Sequence, residues 1–194
     1  MLAAGCLLFA WIGGTTAVLA VWLAILILVY DAVHKVFVFS PVLMAGCRFL
    51  LYLLASSAAV HGITGLALWS AFALGFYVLG LSCLARRENL PGPLQYWPLL
   101  SLGAPVLLAL LANSGRYATP ATVLILILVS WIAWALLSTH SGAGRNVGLA
   151  VSALLAGIVW VDLLAVCDAG GGTYLVFFLL FVLTLISQRY VPAT

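Results

Sequence analysis

Asp31, His34, Lys35, Arg48, Arg86, Arg87 and Glu88 make a mostly cationic collection with two acids. Lys and Arg donate to phosphate oxygens, and carboxylates hold a divalent ion or fix the bases in place. Together they are what a site for an anionic headgroup or a diphosphate needs. The structural alternative makes Lys35, Arg86 and Arg87 topology determinants and has Arg48 neutralised by Asp31 or Glu88. Asp162 stands apart, a lone carboxylate inside an apolar run, where a backbone amide, a hydroxyl or Arg116 could partner it or a proton relay could use it. His34, His61 and His140 are scattered over different breaks, a spacing that suggests no metal site.

The elements that must position these groups follow from composition. Seven Lys or Arg and four Asp or Glu are all the charge in 194 residues, 6% of the chain. A soluble domain needs about a quarter charged for its polar shell. With a mean hydropathy of +1.31, the solvent is a lipid bilayer. Hydrocarbon satisfies no backbone N–H or C=O, so helices or a closed barrel are required, and continuous rather than alternating runs such as 120–138 select helices. A net charge of +3 without any cluster of basic residues excludes nucleic acid as a partner. Cys6, Cys47, Cys83 and Cys167 lie in apolar runs without a Cys-x-x-Cys pair and read as small buried hydrophobes.

Eight apolar segments are expected, over 1–12, 17–30, 41–60, 63–85, 96–113, 120–138, 148–167 and 173–187, in one all-α bundle of about seven to eight transmembrane segments spanning 1–194. Glycine-, proline- and serine-rich breaks such as Gly13-Gly14-Thr15-Thr16, Ser40-Pro41 and Gly170-Gly171-Gly172 separate them. Tyr30, Tyr96, Trp97, Tyr117, Tyr174 and Tyr190 recur near segment ends as interfacial anchors. Lys35, Arg86, Arg87, Arg145 and Arg189 fall on one side and Arg116 on the other, so the first side is expected to be cytoplasmic. Arg48 sits inside the third run, and Asp162 about 20 Å into the seventh. Residues 1–12 reach only about 18 Å as a helix, short of a core of about 30 Å, so they pair with the second run as a re-entrant or tilted unit or continue helices encoded elsewhere.

Tyr30-Asp31-Ala32-Val33-His34-Lys35, Ser40-Pro41, Cys47-Arg48 and Tyr52 resemble the UbiA superfamily of intramembrane prenyltransferases, in its UbiA-like branch. Gly80 to Glu88 and the closing Gln188 to Thr194 look like the same branch, so the likeness covers nearly the whole chain. It implies a helical bundle around a cavity open sideways to lipid. Two Asp-rich motifs would hold Mg²⁺ and a prenyl diphosphate, whose isoprenoid passes to an aromatic or quinone-type acceptor. It also implies that Tyr30 and the basic pair His34 and Lys35 contact the diphosphate. Where the family places its second set of aspartates, this chain reads Leu84-Ala85-Arg86-Arg87-Glu88, and the first Asn/Asp-rich motif has no counterpart. Mg²⁺ needs carboxylates, so Asp31 and Glu88 are a poor substitute for two clusters.

The chain therefore fits three functions. It is a prenyltransferase completed by missing upstream helices or by another subunit. Alternatively, it is a non-catalytic member binding an isoprenoid lipid, quinone or pigment tail within a larger membrane complex. A small transporter with Asp162 as its coupling carboxylate is the third, without a broken-helix pair or repeat to support it.

Overall fold

A computed structural model describes residues 2–34, 39–59, 61–86, 97–112, 118–138, 147–166 and 171–190, and every regular element among them is helical. The elements are α1 (Leu2–Ile12), α2 (Gly14–Val33), α3 (Ser40–Ala58), α4 (Gly65–Arg86), α5 (Trp97–Leu102), α6 (Ala104–Ala112), α7 (Ala118–Ser138), α8 (Val147–Ala165) and α9 (Gly171–Tyr190). Among the described residues six helices, α2, α3, α4, α7, α8 and α9, have spans long and apolar enough to cross a membrane, which makes the chain a multi-pass integral membrane protein.

Two expected segments differ. The run over 96–113 is split at Gly103 into α5 and α6, because Pro105 has no N–H to continue the ladder and its ring crowds the residue before it. Residues 1–12 do form a helix, and it turns back on α2 at Gly13: Cys6 Sγ lies 3.6 Å from the carbonyl of Ala20. At about 16 Å, α1 reaches roughly halfway along its partner. The break expected over 13–16 shrinks to Gly13, since Thr15 and Thr16 join α2. Thr16 is almost fully buried, and its hydroxyl meets the Ser57 carbonyl at 3.4 Å and the Ser57 hydroxyl at 3.3 Å. Small hydroxyl residues of this kind join membrane helices where apolar contact alone gives no preference over lipid.

Burial singles out the centre of the bundle. In α4 and α8 56% of the spanning window is buried, against 28% or less in the other four. The sequence reason is their small residues. Ala71 and Gly75 in α4, and Ala153 and Gly157 in α8, stand one turn apart and allow backbones to approach. A Cβ on Gly75 would touch the Ala45 carbonyl and Phe49 of α3 at 3.7 Å. At Gly157 it would collide with the Tyr77 hydroxyl, and it would stand 3.2 Å from Trp131. Tyr77, wholly buried, donates to the Leu154 carbonyl at 2.9 Å, and Trp131 Nε1 donates to the Ala153 carbonyl at 2.8 Å. Gly157 is one turn beyond Ala153, so its missing side chain leaves these carbonyls open to α4 and α7.

α3 packs on α4, α4 on α8, and α8 on α7 and α9, while α2 and α1 extend the other flank through α3. α3 and α8 thus stand on either side of α4. The end of α2, the start of α3, the end of α4 and the start of α8 meet at one end of the bundle.

Candidate functional site

At that shared end the four helices line an open cavity of about 350 Å³. Tyr30 and His34 enter from α2 and the residue following it, Ser40, Pro41 and Met44 from α3, Leu81, Ser82 and Arg86 from α4, and Val151 and Leu155 from α8. Helical spacing explains the convergence. Tyr30 and His34 are one turn apart, as are Ser82 and Arg86 and also Val151 and Leu155, so each helix contributes one face.

Polar groups gather at the rim and on the floor. Arg86 Nη1 donates to Ser40 Oγ at 3.1 Å, which ties the end of α4 to the start of α3. Pro41, in the first turn of α3, costs no helical hydrogen bond there and fixes the chain direction beside Ser40. His34 lies at the end of α2, its ring stacked on Tyr30 with centroids 5.4 Å apart. Its Nδ1 is 3.0 Å from the Asp31 carbonyl, an acceptor only, so Nδ1 carries the proton and Nε2 is the ring atom left for other contacts. Deeper in, the hydroxyls of Tyr30 and Ser82 both point at Met44 Sδ, at 3.8 and 3.4 Å. A thioether is a weak acceptor. Two hydroxyl donors on one cavity wall are therefore only loosely engaged, while Leu81, Val151 and Leu155 supply an apolar surface.

The expected site residues sort into three groups. Tyr30, His34 and Arg86 come together in this cavity, so Tyr30 is a lining residue as well as a segment-end aromatic. Lys35, Arg87 and Glu88 lie outside the described residues, as do Cys167, Arg116, Arg145 and His140. Asp31 and Arg48 are exposed and do not line the cavity, so among the described residues the cation at its mouth is Arg86. Arg48 lies one turn deeper than Met44 on the same face of α3, and one turn further is Tyr52, whose hydroxyl donates to Asp162 Oδ1 of α8 at 2.9 Å. A hydroxyl is thus the partner of the intramembrane carboxylate. Cys6, Cys47 and Cys83 are half-buried and form no disulfide.

Ser40, Ser82 and Met44 were not among the expected site residues. Ser40 and Ser82 are two of the three buried polar residues among those described. For Ser82 a serine inside a hydrophobic run is the signal that could have found it, because a hydroxyl buried in a bundle needs a partner, whereas Ser40 sits in a break between runs and gives no such signal.

Among the described residues that line the cavity there is no carboxylate for Mg²⁺, and Glu88, one of the two expected ligands, lies outside the described residues. Among the described residues no three His, Cys, Asp or Glu side chains gather where they could hold a metal ion. Serine hydroxyls and a guanidinium are donors for an anion, not a carboxylate cage for a hard cation. Comparison with protein-family models, with curated proteins and with solved structures finds no match to this chain, and the cavity and the seam beside it stand on their own geometry.

Proposed function

We propose that this chain is a UbiA-like membrane protein whose end cavity holds the anionic head of an isoprenoid-type lipid, as a binding component of a larger membrane complex. The observation that carries this is the meeting of Arg86, His34 and Tyr30 in a cavity whose remaining walls are apolar. A guanidinium suits phosphate oxygens, an imidazole does so only as the imidazolium, with Nε2–H donating, and the hydroxyls of Tyr30 and Ser82 can leave a thioether for a stronger acceptor. The volume sets the ligand's form. At about 30 Å³ per water-sized group, the cavity takes roughly a dozen non-hydrogen atoms. A head and the first part of a chain fit, and the rest of the tail lies outside it, in the bilayer. The basic end is the cytoplasmic one on this proposal, since Lys35, Arg86, Arg87, Arg145 and Arg189 belong to that side.

Prenyl transfer to an aromatic or quinone-type acceptor is the second function that the motif around Tyr30, His34 and Lys35 supports. It would require carboxylates for Mg²⁺ from outside the described residues, which do not supply a site. One experiment separates the two. The full chain in nanodiscs is titrated with a labelled prenyl diphosphate in EDTA, then in Mg²⁺ with an aromatic acceptor. Saturable binding in EDTA that Arg86→Gln weakens, without turnover in Mg²⁺, supports the binding role. Turnover in Mg²⁺ by the purified chain would replace it with the transferase, and no saturable binding in either condition would end both.

A further inference from the structure

We propose that Arg48, Tyr52 and Asp162 form a second site, within the membrane, for a lipid that carries an uncharged hydroxyl group. The site is independent of the end cavity, which none of the three residues lines. Tyr52 lies about 12 Å beyond Met44 along α3, and Asp162 about 10 Å beyond Leu155 along α8.

Charged side chains inside a bilayer are expensive and normally pair or face a polar space. Here a guanidinium stands one helical turn from Tyr52 on the same face of α3, and Tyr52 in turn holds the carboxylate of Asp162. Among the described residues Arg48 makes no ion pair or hydrogen bond, and its side chain is exposed. Asp162 is only partly buried, and its one hydrogen bond among the described residues is the one that Oδ1 accepts from Tyr52, leaving Oδ2 without a described partner. That same bond is the one polar link between α3 and α8 among the described residues, so the seam between the two helices is not otherwise closed by hydrogen bonds.

The unfilled valences define the ligand. A guanidinium has five N–H donors and no acceptor, whereas a carboxylate has acceptors only. A group between them must accept on one side and donate on the other. A hydroxyl does both. A ketone or an ether accepts from Arg48 but leaves Asp162 facing a lone pair. A carboxylate or phosphate suits Arg48 but is repelled by Asp162 at short range in a medium of low dielectric constant. Lateral access through the α3 and α8 seam, with Arg48 exposed, suits a ligand that arrives from the bilayer rather than from water.

The test uses the full chain in nanodiscs and a long-chain primary alcohol carrying a diazirine. Its methyl ether and the matching carboxylic acid are the competitors. Light-driven labelling is expected on the peptides holding Arg48, Tyr52 and Asp162. Unlabelled alcohol should compete at least about tenfold better than ether or acid, the loss of one hydrogen bond to a charged group. Arg48→Gln and Asp162→Asn should each lower labelling about tenfold, while binding of a prenyl diphosphate at the end cavity, read in the same samples, stays intact and reports the fold. Equal competition by alcohol and ether would overturn the hydroxyl site, and a stronger effect of the acid would make Arg48 a plain anion site. The competition uses the unaltered protein, so it decides the matter even if a variant fails to fold.

Discussion

Two tyrosines, both drawn into the bundle by an otherwise apolar sequence, meet different ends. Tyr77 at the centre is wholly buried and donates to a backbone carbonyl at 2.9 Å, beside a glycine whose side chain could not exist there. Tyr30 at the cavity donates to a thioether at 3.8 Å and stacks loosely on His34. The first hydroxyl is consumed by packing and has nothing left to offer. The second holds a weak partner that a better acceptor displaces. In a bilayer, where any unmet polar group is costly, the quality of a hydroxyl's partner separates a structural role from a binding one.

The largest test of that contrast is Gly157→Val. Its side chain collides with Tyr77 and Trp131 and severs both carbonyl bonds, and a cost of about 3 kcal/mol is expected for such overpacking. Reversible unfolding in mixed micelles measures it, and a change below about 0.5 kcal/mol would show that α4 and α8 do not meet as described. Next comes Arg86→Gln. It removes the bond to buried Ser40, so a stability loss of about 1 kcal/mol is expected, while affinity for a prenyl diphosphate falls by about ten- to a hundredfold, the span of a charged hydrogen bond. Calorimetry or scintillation proximity reads this directly. A smaller effect belongs to Tyr77→Phe, which removes one interhelical hydrogen bond worth about 0.6 to 1.7 kcal/mol and should leave ligand affinity alone. The smallest is Tyr30→Phe. Loss of a thioether contact should leave the melting temperature unchanged and weaken the ligand only a few-fold. The opposite pattern, with Tyr30→Phe unfolding the protein and Tyr77→Phe weakening the ligand, would reverse the assignment of the two hydroxyls.

What the sequence discloses here is uneven for physical reasons. The membrane class and the helices follow from hydropathy and backbone satisfaction, and α3, α4, α7, α8 and α9 fall within a few residues of their expected ranges. The convergence of Tyr30, His34 and Arg86 was legible, because basic and aromatic groups at helix ends on one side of a membrane have few other places to be. The break at Gly103 was hidden because the run over 96–113 is apolar throughout, and hydropathy does not register a missing N–H. The separation of Arg48 from the cavity was hidden too. Sequence gives its depth on α3, but the direction it faces depends on how α3 leans on α4, which is set by the close approach at Gly75. The partner of Asp162 lies 110 residues away in the chain, and no local pattern reveals such a contact.

The central claim is that the head of an isoprenoid-type lipid sits where α2, α3, α4 and α8 meet, and its most direct test is to map where that head lies. A prenyl diphosphate with a photoreactive group next to its head is bound to the full chain in nanodiscs, irradiated and located by peptide mass spectrometry. Labelling confined to the segments around Tyr30, Ser40 to Met44 and Ser82 to Arg86, and lost when excess inorganic diphosphate is present, is the expected result. Labelling spread over the outer faces of α7 and α9, and indifferent to diphosphate, would contradict the account.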